Sequence, residues 1–416
     1  MRVLTIAWRN VWRNRWRTAL SALAVFASTL IVCIVLSLEA GYIGDMITNI
    51  KNHVTGDVRI IRRAFVENER VRPLQYSVTD TPLALAALAA LPEVRLAVPL
   101  TDFFAAMYRA GEKVPCRVVG VDFARSPLAR AENNRLVAGS YPADGAPAVL
   151  VTQALAEEFS LAPGSRITLL AGTAIGGMNG KTFAVSGIIS IADVDFSGRL
   201  VMMDWRAASD YLRMDGNALQ IQAFLREGVD EGLALASIVR ALGQGPATPD
   251  PDALEIKAWH AVNGTYGFLK LSGLVYAIFS AVFYLLASTV VFNTTMMSVL
   301  ERKREIGTLG ALGVPRAAIV RLFLAESLII ALLGTTAGLA VGGALIGVVG
   351  RVGLDIQALY GNDFEGFGFS RVIHPYLAPR GYVTAFLMGT LISAAACFFP
   401  ARMAARVEPV DALADR

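Results

Sequence analysis

Four long runs of apolar residues constrain the fold of this chain more than any other feature of its sequence. They cover residues 18–40, 269–300, 317–350 and 381–400. Each run is long enough to cross the ~30 Å hydrocarbon core of a membrane as a helix. The composition agrees, since 55% of the 416 residues are hydrophobic and only 17% are charged. The sequence therefore predicts an α-helical membrane protein with four transmembrane helices.

Residues 1–17 precede the first apolar run and carry two stripes of side chains at four-residue spacing. One stripe is apolar and the other is basic: Leu4, Trp8, Trp12 and Trp16, then Arg9, Arg13 and Arg17. This pairing predicts an amphipathic helix in the headgroup layer rather than a nucleic-acid-binding patch. The run 18–40 is too long for a cleaved signal peptide and lacks the small residue that cleavage requires. We expect it to remain as the first transmembrane helix.

Residues 41–268 have the composition of a globular domain. Seven short runs predict strands: 58–61, 114–121, 148–151, 166–170, 183–189, 200–203 and 219–224. Thr81, Thr152 and Asp230 precede helical patterns between these runs. We expect a large extracytoplasmic α/β (α+β) domain of two lobes, inserted between helices 1 and 2. Residues 244–252 are expected to form a loop or hinge.

The segment 301–316 joins the second and third apolar runs and has a dense cluster of charges. Glu301, Arg304 and Glu305 lie in this cluster, and an apolar row with glycines follows: Ile306, Gly307, Leu309, Leu312 and Gly313. A short helix with a glycine-lined apolar ridge allows another protein to approach closely. The alternative is a loop whose basic residues only fix the topology.

The distribution of basic residues predicts the orientation. The N-terminal segment, the 301–321 segment and the tail 401–416 hold thirteen Lys or Arg, whereas the loop 351–380 holds three. The positive-inside rule then places both termini in the cytoplasm and the large domain outside it.

No catalytic or metal-binding pattern is present in the sequence, and no metal site, catalytic residue or cofactor is expected. The stretch Gly176–Thr182 resembles a phosphate loop, but Ile175 replaces the required glycine and the flanking runs predict a hairpin. Glu326 is an acid near the end of a predicted span, where acids are often functional. Pairing with Arg321 or snorkelling to the headgroups is the favoured interpretation. We therefore do not expect an enzyme.

The layout and three motifs resemble the FtsX-like permeases of MacB-type (type VII) ABC transporters. The motifs are the basic N-terminal sequence ending RNRWRT, the loop pattern ExxREIGxxxAxG and the tail PARMAARVEPVDAL. The family usually carries Arg-Ala where Gly310-Ala311 stands here. In the large domain, TGDVRII and VVGVD resemble the lipoprotein-releasing (LolC/LolE-like) branch more loosely.

This resemblance implies a permease in the bacterial inner membrane that binds a separate cytoplasmic ABC ATPase, which holds the ATP. It implies a second permease, as a homodimer or heterodimer, contact with membrane lipid and a candidate periplasmic carrier, but no nucleic acid. The coupling residues would be Glu301, Arg304, Glu305, Ile306, Gly307, Leu309, Leu312 and Gly313. ATP-driven closure would move the long first and second helices and with them the outside domain, which is mechanotransmission.

Three functions stay open from the sequence. The favoured one is extraction of lipoproteins or another lipid-anchored substrate from the outer leaflet. Permeases of the efflux type commonly have their ATPase fused at the N-terminus, and this sequence shows no ATPase motif, which favours extraction. The alternatives are drug or peptide efflux through an outer-membrane duct, and a non-transporting regulator of a cell-wall hydrolase. For extraction, helices 1 and 2 are expected to line a lipid-open cavity with Val25, Phe26, Phe279, Phe283 and Val290.

Overall fold

The computed structural model describes residues 2–13, 15–69, 72–109, 111–130, 134–191, 198–243, 253–262, 265–355 and 372–407. The chain divides into two compact units. The membrane unit contains residues 1–43, 268–354 and 373–416, and the domain unit contains residues 44–267 and 355–372. The predicted hinge 244–252, most of the loop 351–380 and the end of the tail lie outside the described residues.

The helices are, in chain order, α1 Arg2–Arg13, α2 Arg15–Asn49, α3 Arg63–Glu67, α4 Thr81–Ala89, α5 Pro127–Arg130, α6 Gln153–Glu158, α7 Trp205–Leu212, α8 Glu231–Ala241, α9 Trp259–Val262, α10 Thr265–Glu301, α11 Lys303–Ala311, α12 Arg316–Val352, α13 Pro379–Ala396 and α14 Phe398–Ala404. The strands are β1 Val58–Arg62, β2 Val94–Arg109, β3 Glu112–Val121, β4 Arg135–Gly139, β5 Ala148–Thr152, β6 Arg166–Gly172, β7 Met178–Ser190, β8 Leu200–Asp204, β9 Gln220–Leu225, β10 Leu254–Ala258, β11 Leu354–Asp355 and β12 Val372–Ile373.

Within the part of the chain that the structure describes, four helical segments are long and apolar enough to cross a membrane, which confirms the predicted fold class. They are Arg15–Thr55, Leu269–Glu301, Arg316–Val352 and Pro379–Ala404. The first is longer than the predicted 18–40, because the helical backbone continues through polar residues to Asn49 and then into the π-helix Ile50–Thr55.

A row of glycines in α12 packs directly against α2. A side-chain carbon built at Gly334 would lie 2.8 Å from Val25 Cβ, at Gly338 2.8 Å from Thr29 Cβ, and at Gly342 3.0 Å from Cys33 Cβ. Both series advance by four residues in the same direction, so the two helices run parallel. Small residues at four-residue spacing, such as Gly338 and Gly342, let two helix backbones approach closely, as they do here.

The domain unit is built on one ten-stranded sheet. Its main path runs β10-β1-β9-β2-β3-β8-β5-β7-β4, and β6 pairs with β2 and β7. The pairs β3–β8 and β5–β7 are parallel, and the others are antiparallel. Separate clusters of buried side chains cover different parts of this sheet, one around Ile60 and Leu88 and another around Phe103 and Phe183. The two-lobe division stays a prediction.

All seven predicted strands are present, whereas β2, β4, β10 and the short β11 and β12 were not predicted. The longest strand, β2, contains Pro99, which cannot donate a ladder hydrogen bond and so obscures the strand pattern. Its pairing with β3 on one side and with β9 and β6 on the other supplies the stability that local sequence does not. The stretch at Gly176–Thr182 joins β6 to β7, and these strands are antiparallel. The hairpin prediction is therefore confirmed.

Candidate functional site

The charged segment between the second and third spans forms the short helix α11, as predicted. Arg302 interrupts the helical backbone between α10 and α11 with φ −103° and ψ 13°. At the other end, Gly313 has φ 81°, a left-handed conformation that glycine adopts without steric cost. Most of the predicted coupling residues are exposed: Glu301, Arg304, Glu305, Leu309, Leu312 and Gly313.

Ile306 and Gly307 differ from the other coupling residues because they are buried inside the chain itself. Ile306 belongs to an apolar cluster formed by α10, α11, α12 and α14, with Val299, Ile319, Phe323, Ala401 and Ala404. A residue buried in this way holds α11 against its own bundle. An apolar contact with another protein at this helix therefore depends on Leu309 and Leu312, and the expectation that Ile306 also offers one is corrected.

Charged side chains connect α11 to the N-terminal helices. Arg13 Nη2 lies 3.1 and 3.0 Å from the two carboxylate oxygens of Glu305, and Arg302 Nε lies 3.0 Å from Glu305 Oε2. Arg17 Nη1 donates to Glu301 at 3.2 Å. Hydrogen bonds from Arg13 first, and then from Arg302, lower the pKa of Glu305. This carboxylate therefore stays ionised well below neutral pH.

Glu326 is buried and has partners that the sequence did not indicate. Its Oε1 accepts hydrogen bonds from Asn10 Nδ2 at 2.6 Å and from Arg302 Nη1 at 3.3 Å. The expected pairing with Arg321 is wrong, because Arg321 is exposed and its Nε donates to the carbonyl of Ala317. Five residues separate the two side chains, which puts them about 140° apart around the helix.

The only sequence signal for the Asn10 contact was weak. Asn10 lies three residues after Ala7 and directly before Val11. Ala7 and Val11 are buried, whereas Trp8 and Trp12 are exposed. A polar residue on the packed face of an amphipathic helix needs a buried partner. That partner, 316 residues away, could not be identified by spacing.

The five predicted cavity residues do not share one surface. Val25 is fully buried and packs with Val291, Cys397 and Leu324, so its assignment to a substrate cavity is corrected. Phe26, Phe283 and Val290 are half-buried, and Phe279 is 55% exposed. The α10 helix instead presents an exposed apolar face: Leu271, Leu274, Val275, Ile278, Phe279, Val282, Leu285 and Leu286.

Two families of known proteins match this sequence. The MacB-like periplasmic core domain matches residues 18–241, which is more than half of the chain. The FtsX-like permease C-terminal family matches residues 277–409. The two matches together include α2, most of the domain unit and the segments from α10 to α14.

Individual relatives match a shorter part of the chain. "Macrolide export ATP-binding/permease protein MacB" of Shewanella sp. (strain W3-18-1) is 39% identical over 125 residues, which is 30% of this chain and 16% of that protein. The protein of the same name from Vibrio parahaemolyticus serotype O3:K6 (strain RIMD 2210633) is 33% identical over 124 residues, with the same coverage of both chains. The match thus spans about a sixth of the length of these relatives.

Two solved structures are also similar. The periplasmic region of MacB from Actinobacillus actinomycetemcomitans has 12% identity and a TM-score of 0.37, with 50% of this chain and 92% of that chain covered. The extracellular domain of the ABC-type transporter YknZ from Gram-positive bacteria has 10% identity and a TM-score of 0.33, with 48% and 98% covered.

Proposed function

This chain belongs to the FtsX-like permeases that carry a MacB-like periplasmic core domain, and on that premise we propose that it is the permease subunit of an ABC transporter. In this proposal both termini and α11 are cytoplasmic, the domain unit is periplasmic, and a separate ATPase binds at α11. A second permease subunit completes the transporter in the inner membrane. The proposal rests on the two family matches, one to residues 18–241 and the other to residues 277–409.

The exposed leucines of the α11 segment are the proposed contact with the ATPase. Leu312 is 76% exposed and Leu309 is 37% exposed, beside a network that joins α11 to α1 and α12. Large apolar side chains surrounded by charged ones are typical anchors of protein interfaces. Because the network ties α11 to two other helices, a force applied at α11 would reach the bundle rather than bend a free loop.

Copurification tests the proposed ATPase contact. The tagged chain is purified from its own host in mild detergent, and the bound proteins are identified by mass spectrometry. We expect an ATP-binding-cassette ATPase with the wild type and at least a tenfold loss of it with Leu312→Asp, because the interface would bury an unpaired charge. Leu83→Asp is the matched control, since Leu83 of α4 is 71% exposed but lies in the domain unit. Equal recovery of the ATPase with Leu312→Asp would contradict the contact.

We also propose that the substrate is anchored by lipid and moves along the apolar face of α10. Removing an acyl chain from hydrocarbon costs ~0.8 kcal/mol per CH₂. A path along an apolar helix keeps the chain out of water, and the exposed face from Leu271 to Leu286 offers such a path. Macrolide export is the second candidate, favoured by the names of the relatives that match part of this chain.

Photocrosslinking separates the two candidate substrates. A photoreactive amino acid replaces Phe279 or Leu286 on α10, and Val348, which is exposed on α12, serves as the control position. Capture of acylated proteins at the α10 positions, and not at 348, supports lipid-anchored cargo. Capture of a macrolide photoprobe there instead supports efflux. Equal capture at all three positions would mean that α10 has no special role.

A further inference from the structure

The domain unit contains a cavity that the proposed transport function does not use. Its volume is roughly 310 Å³. Its walls come from β1, β2, β3, β9, the helix α3 and the segments that follow α2 and α3. Three arginines line it, Arg59, Arg72 and Arg117, together with two acids, Asp102 and Glu69. Apolar side chains complete the wall, among them Phe65 and Phe104. The volume is at the lower end of ligand-binding pockets and suits a headgroup or a small molecule.

Two of the arginines converge on one carboxylate. Arg117 binds Asp102 with two parallel hydrogen bonds, Nε to Oδ1 at 3.0 Å and Nη2 to Oδ2 at 2.7 Å. Arg72 Nη1 also donates to Asp102 Oδ1. In this group, two guanidinium groups thus share one carboxylate.

The third arginine is held by a separate set of partners. Arg59 is buried, and its Nε donates to Gln220 at 2.7 Å while its Nη2 donates to Glu69 at 2.6 Å. Among the lining residues that the structure describes, three guanidinium groups therefore face two carboxylates. A partly buried excess charge is costly unless a counter-charge is supplied. An anionic ligand would supply it.

Arg72 is fixed in an uncommon conformation at the wall of this cavity. Its φ is 46°, in the left-handed region that costs a residue with a side chain about 1 kcal/mol or more. Its guanidinium lies 4.4 Å from the ring centroid of Phe104, which is 62% exposed. Burial lowers the pKa of the Arg72 guanidinium more than the nearby Asp102 raises it. Local strain of this kind is typical of binding sites.

From this geometry we propose that the cavity binds a small phosphate-bearing amphiphile. The guanidinium groups of Arg72 and Arg117 hold the phosphate, since arginine forks match phosphate oxygens. The exposed ring of Phe104 packs against the apolar part of the ligand. The apolar wall favours the phosphate of a lipid headgroup over a free soluble anion, and the probes below distinguish the two sources. This binding site goes beyond the proposed permease function, and its test needs no ATPase.

Calorimetric titration of the full chain in nonionic detergent tests the site with three probes. Hexyl phosphate has both the anionic group and an alkyl chain. Inorganic phosphate has only the anionic group, and hexanol has only the alkyl chain. We expect hexyl phosphate to bind at least tenfold more tightly than either of the other two, which is about 1.4 kcal/mol. Equal binding of inorganic phosphate, or no binding of hexyl phosphate, overturns the proposal.

Three variants locate the binding. Arg72→Gln is expected to weaken hexyl phosphate at least tenfold, and Asp102 keeps its two bonds from Arg117 in this variant. Phe104→Ala is expected to weaken hexyl phosphate but not inorganic phosphate, and the exposed ring can be removed without unfolding the domain. Arg199→Gln is the matched control, because Arg199 pairs with Glu158 outside the cavity. A loss with Arg199→Gln as large as with Arg72→Gln contradicts the site.

Discussion

Asn10 of α1 donates a 2.6 Å hydrogen bond to the buried carboxylate of Glu326 in α12. The same carboxylate oxygen also accepts from Arg302, the residue between α10 and α11. One acid thus joins the N-terminal helix, the third span and the start of the coupling segment. A carboxylate that is buried with two donors stabilises their arrangement. Removing it takes the acceptor from Asn10 Nδ2 and Arg302 Nη1, while Arg302 Nε keeps its bond to Glu305.

The first prediction concerns this buried acid. Glu326→Ala should lower the free energy of unfolding by about 1–3 kcal/mol, because Asn10 Nδ2 and Arg302 Nη1 would lose their shared acceptor in a buried place. Glu326→Gln should cost less, since its amide oxygen can still accept from Asn10. Denaturant unfolding of the purified chain in detergent measures both. Glu301→Ala is the control, and loss of its exposed pair with Arg17 should cost less than about 1 kcal/mol. Equal losses for Glu301→Ala and Glu326→Ala would refute the central role of Glu326.

Most of the fold could be predicted from the sequence, because the patterns that indicate the spans and most of the strands lie within short stretches of the chain. Long apolar runs indicate the spans. The four-residue spacing of Gly338 and Gly342 is typical of close helix packing, but only the structure identifies α2 as the partner. The strand β2 was missed because Pro99 and the alanines near its end have no strand preference of their own. Pairing with three other strands determines its structure, and such pairing is not encoded locally.

The second prediction is a pH dependence at Glu305. Hydrogen bonds from Arg13 and Arg302 lower the pKa of Glu305, so they stabilise the protein above the ordinary glutamate pKa of ~4.3. This stabilisation is lost as the pH falls through the lowered pKa of the folded state. Glu305→Gln should therefore lower Tm slightly at neutral pH, and the difference from wild type should vanish under acidic conditions. The difference in stability between Glu305→Gln and the wild type should be below about 1 kcal/mol, because Glu305 is half exposed. A difference that grows on acidification would contradict this sign.

The site could be predicted only where its residues are neighbours in sequence. The exposed charges and leucines of the 301–313 segment were identified from their spacing. The burial of Ile306 could not be predicted in this way, because its partners in α12 and α14 lie far away in the chain. The arginine cavity could not be predicted for the same reason, because its residues are spread along the chain from His53 to Gln220.

The third prediction tests the proposed topology by cysteine labelling. The three native cysteines are all buried, and burial raises the pKa of the Cys116 thiol to about 12, so background labelling should be low. Ala154→Cys on α6 and Ala311→Cys on α11 introduce exposed thiols. An impermeant maleimide added to intact spheroplasts should label position 154 and leave position 311 unlabelled until the membrane is permeabilised. The reverse pattern would invert the topology.

The fourth prediction concerns the contact between α2 and α12. A methyl group at Gly334 would lie 2.7 Å from the carbonyl oxygen of Ala22 and 2.8 Å from Val25 Cβ. Backbone atoms cannot move aside cheaply, so Gly334→Ala should separate the two helices and lower the free energy of unfolding by about 1–3 kcal/mol. Gly347→Ala is the matched control in the same helix.

Outside its own helix backbone, no atom of the residues that the structure describes lies within 4 Å of a side-chain carbon built at Gly347. Since alanine is a better helix former than glycine by up to about 1 kcal/mol, Gly347→Ala should leave stability unchanged or raise it. Denaturant unfolding of both variants in the same detergent gives the comparison directly. If Gly334→Ala proved as stable as Gly347→Ala, the parallel packing of α2 against α12 could not be as close as the structure has it. A loss at Gly334 alone would identify this glycine row as the contact that fixes the first span to the third.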